Sequence, residues 1–342
     1  MKILVTGGAG FIGTALCEVA VKSKDYEVIC VDKLSYAANR MQVQIFEESE
    51  NYHFCQVDLC NAQALNAVLH QYQPDRIMHL AAESHVDRSI QGPAEFIQSN
   101  ILGTYNLLEA ARLYYDGLSG QKAQNFRLHH ISTDEVYGAL GETGHFTEET
   151  AYDPRSPYSA SKASSDHLVR AWYHTYGLPI VLTNCSNNYG PYQYPEKFIP
   201  VVIKNALGGK PIPVYGAGQN IRDWIYVFDH VEALLLVLEQ GLVGESYNIG
   251  GECEKRNIDM ARLICRLIDD LRPDSVHLPH DRLISFVEDR PGHDFRYAID
   301  NGKIRAELHW SPRISLEEGM RRTIEWYLSN QNFLYQTETM TA

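Results

Sequence analysis

The chain of 342 residues has no long hydrophobic run, no paired cysteines and no surplus of positive charge. Its longest apolar stretch, residues 233–238, falls far short of the roughly 20 residues a membrane span requires. The apolar start, Ile3-Leu4-Val5, stops at Thr6-Gly7-Gly8, too short for a signal peptide. The seven cysteines, at positions 17, 30, 55, 60, 185, 253 and 265, are odd in number and scattered, without a Cys-x-x-Cys pair. That pattern argues for reduced thiols in a cytoplasmic protein, against a disulfide framework, and against a metal site. Thirty Lys and Arg stand against 43 Asp and Glu, a net charge of −13. A field of that sign repels nucleic acid and anionic membrane, so neither is an expected partner. An anionic ligand would need a local pocket. With 44% hydrophobic and 21% charged residues, disorder is excluded, and the chain is long enough for a large core.

What is present is an alternation. Short apolar runs at residues 3–6, 27–32, 53–57, 76–80, 128–132 and 180–184 read as strands. Helical segments fall between them, among them 62–71, 93–115 and 159–176. Strands apolar throughout and separated by helices predict βαβ units and a parallel sheet covered on both faces. After Asn184 the texture changes, with Pro191, Pro195, Pro200, Pro211 and Pro213 close together. There the chain is expected to leave the sheet, with residues 224–227 and the helix 231–239 returning to it.

Gly7-Gly8-Ala9-Gly10-Phe11-Ile12-Gly13 follows the first strand and opens a helix. Glycines there let the backbone turn tightly, approach a pyrophosphate and pack helix on strand. A glycine cluster alone is weak. This one has a strand before it, a helix after it and an acid, Asp32, about 20 residues on at the end of the second strand. A carboxylate there accepts ribose hydroxyls and repels a 2′-phosphate, which selects NAD over NADP. Lys33 and Arg40 read as solvated charges, Asp58 equally as an adenine contact or a helix N-cap, and His85 as structural. The fold class is therefore α/β: a Rossmann-type doubly wound parallel sheet with a smaller C-terminal substrate-binding lobe. Residues 1–186 form the cofactor domain, with 224–247 returning to it. Residues 187–223 and 248–342 form the lobe.

Tyr158 and Lys162 stand at i and i+4, one above the other on a predicted helix. Among 21 tyrosines such a pair arises by chance. Its place, opening the helix after the fifth strand, gives it meaning. An ammonium beside a phenol favours the phenolate, a base for an alcohol proton. Just upstream, Ser132-Thr133-Asp134-Glu135-Val136-Tyr137-Gly138 puts two adjacent carboxyls at a strand end inside the expected crevice. Alcohol oxidation needs only the Tyr, the Lys and a Thr or Ser, so two further carboxyls imply a second acid–base operation.

Together these motifs resemble the extended short-chain dehydrogenase/reductase family, and the Thr-Asp-Glu segment resembles its nucleoside-diphosphate-sugar 4,6-dehydratases. The resemblance implies NAD, tightly bound and regenerated each turnover, and a nucleotide-sugar substrate, dTDP-glucose favoured. UDP- or CDP-glucose dehydratase, or a 4-epimerase, is the alternative. It implies Thr133, Asp134, Glu135, Tyr158 and Lys162 as catalytic residues, with Asp134 the acid and Glu135 the base of an elimination. The cofactor contacts it implies are Gly7, Gly10, Phe11, Ile12, Gly13, Asp32, Lys33, Leu34, Ser35, Asp58, Leu59, Ala81, Ala82, Ser84, Ser99 and Asn188, besides Tyr158 and Lys162. The substrate is expected at Ser84, Thr133, Asn187, Glu196, Lys197, Phe198, Pro213, Tyr215, Arg222, Asn257, Arg290 and His293, the arginines suiting phosphate and Tyr215 offering a face to a base. Relatives pair two long helices across a dimer, so a homodimer is expected.

Overall fold

A computed structural model describes residues 1–289 and 292–339. Seven parallel strands form the main sheet. In chain order they begin with β1 (Lys2–Thr6), β2 (Glu27–Asp32), β3 (Tyr52–Gln56), β4 (Arg76–His79), β5 (Arg127–Thr133) and β6 (Ile180–Cys185). Then come β7 (Asn187–Tyr189), β8 (Ile212–Tyr215), β9 (Ile221–Tyr226), β10 (Ser246–Ile249), β11 (Glu254–Arg256) and β12 (Ile284–Val287). The main sheet runs β10-β6-β5-β4-β1-β2-β3. Its order reverses between β1 and β4, and a doubly wound sheet opens its ligand crevice at such a point. Apart from the edge strand β3, the strands are buried almost throughout, as parallel strands covered on both faces must be.

The remaining strands make two small sheets, β11-β9-β7 and β12-β8. They rest on a second core of Ile199, Val202, Ile203, Ile212, Val214, Met260, Ile264 and Met320. Residues 224–226, expected to return to the main sheet, lie in β9 and pair with β7, while residues 221–223 pair with β11. Ile225 alone of the three turns into the core beneath the main sheet, while Trp224 and Tyr226 face the second core. The helix expected to return, observed at Val227–Gln240, packs on the main-sheet core, and β10 pairs with β6.

The segment 93–115, read as one helix, is broken into Pro93–Phe96, a π-helical stretch Ile97–Leu102 and Gly103–Asp116. Such a wide turn re-aims the side chains it carries. Here these include Ser99, on the crevice wall, and buried Asn100. The helix Pro157–Tyr176 has a fuller local explanation. Ser156 accepts the Ser159 amide at 3.0 Å while the Ser159 hydroxyl accepts the Ser156 amide at 2.9 Å. Pro157 starts the helix and Gly177, at φ 68°, ends it. A reciprocal cap of this kind fixes the first turn and contributes about 1 kcal/mol. It sets Tyr158 in that first turn, against the end of β5.

Candidate active site

A cavity of about 320 Å³ lies at the reversal point. Its floor is the glycine turn. Gly7 sits at φ 72°, and a Cβ there would stand 2.6 Å from the Ala81 nitrogen. A Cβ at Gly13 would stand 2.1 Å from the Gly7 carbonyl oxygen, so no side chain fits. At Gly10 a Cβ would meet only the Gly7 carbonyl oxygen, at 3.3 Å, so that backbone opens onto the cavity. The helix Phe11–Ser23 begins there with no side-chain cap and no acid in its first turn. Its first N–H groups thus present a partial positive charge to the cavity, the arrangement a pyrophosphate uses.

Asp32 closes one end. Its carboxylate accepts the amides of Ala9 at 3.1 Å and Leu34 at 2.7 Å. Burial raises its pKa, and the two amide bonds oppose that rise. A carboxylate has about four acceptor positions, so positions remain for vicinal ribose hydroxyls. The cradle and the acid fit NAD. Lys33 is no solvated charge: it reaches Glu83 at 3.1 Å and the Ser99 hydroxyl at 2.9 Å. Leu34 takes a left-handed turn at φ 58°. Asp58 lines the cavity and accepts the Cys60 amide at 2.8 Å, whereas the next helix, Ala62–Tyr72, is capped by Asn61, so the N-cap reading of Asp58 fails. Ser35, Leu59, Ala81, Ala82, Ser84 and Ser99 stand on the same walls.

The other end holds the titratable groups. Thr133 ends β5, and a short 3₁₀ turn, Asp134–Tyr137, follows, capped by the Thr133 hydroxyl, which accepts the Glu135 amide at 3.3 Å. Thr133, Asp134, Glu135, Tyr158 and Lys162 all border the cavity. Asp134 is 1% exposed, and among the described residues its one donor is the Thr133 hydroxyl at 3.3 Å and its Oδ2 has no hydrogen-bond partner. Burial, then the charges of Glu135 and Asp223, hold its pKa well above the carboxylate range against the pull of Arg222. Burial therefore favours the protonated form of Asp134, a proton donor set beside a second carboxyl, Glu135.

Tyr158 departs from the expected lowered pKa. Burial, Glu135 and Cys185 raise it well above the usual phenol value, and a hydrogen bond with Thr133 only partly offsets them. The Lys162 ammonium donates to the Ile131 carbonyl at 2.9 Å, and burial lowers its own pKa. Below it lies Asp166, one helical turn on and fully buried. Its Oδ1 lies 3.0 Å from His130 Nε2, and its Oδ2 accepts Ser132 at 2.8 Å and Tyr152 at 3.0 Å. These partners and Lys162 outweigh burial and lower the Asp166 pKa.

Across the opening, Asn187, Asn188, Glu196 and Lys197 line the cavity. Asn188 is held by His230 at 2.9 Å, while Asn187 Oδ1 is buried without a partner. The other expected substrate residues lie outside this lining. Phe198 stacks near Trp224, with centroids 6.5 Å apart, and Asn257 starts the helix Asn257–Leu271. Pro213 and Tyr215 sit on β8, with the Tyr215 ring edge-on to His293 at 6.1 Å. Arg222 is buried, donating to the carbonyls of Ile221 and Asp294 at 2.8 and 3.0 Å and lying 4.3 Å over the Tyr297 ring. Arg290 lies outside the described residues. Missed by sequence reasoning were Tyr36, Gln193, Tyr194 and Cys185, all on the cavity wall. None carries a motif signal, since only the tertiary fold brings them there.

A glycine cradle facing a Tyr–Lys pair defines a nicotinamide-dinucleotide oxidoreductase scaffold, and the split carboxyl pair adds acid–base chemistry to it. Residues 4–323 match the family model described as GDP-mannose 4,6 dehydratase. The dTDP-glucose 4,6-dehydratase of Salmonella typhimurium is 55% identical over 98% of this chain and 94% of its own. That of Neisseria meningitidis is 56% identical over 97% and 94%. The crystal structure of dTDP-glucose 4,6-dehydratase from Bacillus anthracis in complex with NAD is 42% identical, covers 97% of this chain and 98% of its own, and superposes with a TM-score of 0.85. The chain belongs to this nucleotide-sugar dehydratase family, in its dTDP-glucose 4,6-dehydratase branch.

Proposed function

We propose that the chain is an NAD-dependent hydro-lyase converting dTDP-glucose to dTDP-4-keto-6-deoxyglucose and water. One observation carries this: Asp134, whose burial favours the protonated form, adjoins Glu135 in the cavity that also holds Tyr158 and the glycine cradle. Gly7, Gly10, Gly13, Asp32 and Lys33 would hold NAD. When bound, NAD supplies the two-electron oxidation at carbon 4, its reversal at carbon 6, and a positive charge that stabilises a buried phenolate. Tyr158, hydrogen-bonded to Thr133, takes the proton of the 4-hydroxyl. Lys162 keeps a cation one helical turn away. The carbon 5 proton, acidified by the adjacent ketone, goes to Glu135, which returns a proton to carbon 5 as carbon 6 is reduced. Asp134 delivers its proton to the 6-hydroxyl, which leaves as water. Asn187, Glu196 and Lys197 face the sugar. Tyr215, Arg222, Asn257 and His293, with Phe198 and Pro213, form the nucleoside-diphosphate end in the second lobe. An epimerase has no use for a donor–acceptor carboxyl pair.

Deuterium placed on carbon 4 of dTDP-glucose should reappear on carbon 6 of the product. Loss of the label to water, or a product that keeps its carbon 6 oxygen, would sink this reading. The proposal extends to a homodimer in the cytoplasm. Exposed Tyr105 and Tyr176 flank Trp172, ring edge to ring, and join the helices Gly103–Asp116 and Pro157–Tyr176 in one apolar strip. A monomer mass by light scattering at micromolar concentration would remove the dimer. All seven cysteines are free thiols, as a reducing compartment maintains.

A further inference from the structure

Three segments distant in sequence meet over the mouth of the cavity. The Tyr36 hydroxyl donates to Glu196 Oε1 at 2.6 Å, and Arg88 Nε donates to Glu196 Oε2 at 3.0 Å. The Arg88 guanidinium also lies 3.8 Å over the centre of the Tyr36 ring, and the Tyr194 ring meets Tyr36 edge-on at 5.5 Å. Lys197 Nζ donates to the Ser84 carbonyl at 2.7 Å. One carboxylate is thus shared by a phenol and a guanidinium that are themselves stacked. The left-handed turn at Leu34, whose carbonyl accepts Arg40 at 2.7 Å, directs the chain after Asp32 toward this cluster.

We propose that Tyr36, Arg88 and Glu196 form a latch that retains the bound dinucleotide between turnovers. Tyr36, Ser84, Tyr194, Glu196 and Lys197 all line the cavity. Residues of the loops 33–38 and 192–197 line the cavity and the latch joins these loops, so a ligand seated on the glycine turn and Asp32 would escape past them only if they part. Arg88 does not line the cavity, and half of its side chain is exposed to solvent. A single exposed ion pair holds little. Here the same guanidinium also stacks on an aromatic ring, so breaking the assembly loses both contacts together. Cofactor that returns to its starting state each cycle gains from a slow escape route. This inference rests on the NAD reading above.

The test is the rate at which the purified protein releases NAD, followed by chasing labelled NAD with unlabelled NAD in the absence of any sugar nucleotide. Arg88→Ala should speed release about tenfold, the loss expected for one ion pair and one cation–π contact. Tyr36→Phe, which keeps the ring but loses the bond to Glu196, should have a smaller effect. The two substitutions combined should fall short of the product of their separate effects, because they break one unit. Arg112→Ala, at a pair with Glu109 on a distant helix, should leave the rate unchanged. Equal release from Arg88→Ala and wild type, or independent multiplicative effects, would overturn the latch. Failure of the wild type to bind NAD at all would instead overturn the cofactor reading, and the latch with it.

Discussion

Asp32, half-buried, and Asp134, fully buried, are carboxyls bordering one cavity, and both have raised pKa values, yet they are built for opposite uses. At the Asp32 end two backbone amides already point at the carboxylate, the glycine turn is shaped by main-chain contacts, and little can move. At the Asp134 end donor support among the described residues is a single hydroxyl, and Oδ2 of Asp134, Oδ1 of Asn187 and Oε1 of Gln193 are buried without partners. A binding end can be saturated by its own backbone. A reacting end must leave polar capacity unspent, and it pays in desolvation.

The comparison is sharpest at Glu135. Glu135→Gln should cut turnover by about 10²- to 10⁴-fold, the usual cost of removing a positioned base. NAD affinity, set at the other end, should not change, and reduced cofactor should accumulate under substrate, visible as near-ultraviolet absorbance. Weakened NAD binding would show that the ends are not separable. Next in size is Gly13→Ala, whose Cβ would press on the Gly7 carbonyl oxygen at 2.1 Å. Denaturant unfolding should show a loss of about 1–3 kcal/mol, as overpacking commonly produces. Gly10→Ala, facing open cavity, should keep its stability and lose NAD affinity instead.

The smallest effect is a pH dependence of stability. A carboxyl whose folded pKa is raised binds its proton more readily folded than unfolded. Its stabilising contribution is present below the ordinary carboxylate range and is lost as pH rises through the folded value. Asp134→Asn, neutral at every pH, should therefore melt increasingly above wild type as pH rises beyond that range. The two should converge in acid. A constant offset at all pH values would mean that Asp134 is not the group titrating.

Much of the sheet was legible because its signals are local. Six strands fell within a residue or so of their observed ends, since continuous apolar runs bounded by turns leave little choice. The glycine turn, Asp32 and the Tyr158–Lys162 spacing were readable for the same reason. What escaped was long-range. Tyr36 meets Glu196, and Arg88 meets both, through contacts more than a hundred residues apart or across separate loops. The raised Tyr158 pKa depends on how deeply the fold buries the phenol beside Glu135, and spacing on a helix says nothing of depth. The π-helical stretch 97–102 hides inside a helical pattern, because one extra residue per turn barely disturbs its periodicity. Which carbonyls hold the Arg222 guanidinium, those of Ile221, Asp294 and Phe295, is likewise set by strand contacts that residue type does not reveal.

Asp166 belongs to the helix that carries Tyr158 and Lys162, and its hydrogen bonds reach His130 and Ser132 on β5, the strand that ends in Thr133 and leads to Asp134. Asn184, on β6, ties the same carboxylate at 3.5 Å to the Thr133 carbonyl at 3.0 Å. Tyr158, Lys162, Thr133 and Asp134 therefore stand on elements joined by one buried hydrogen-bond network. In the proposed reaction their mutual spacing would act as a fixed ruler between carbon 4 and carbon 6 of the sugar. A change of substrate that preserves this spacing can arise by remodelling the facing loops and the second lobe. A change that alters which carbons react has to break that network itself.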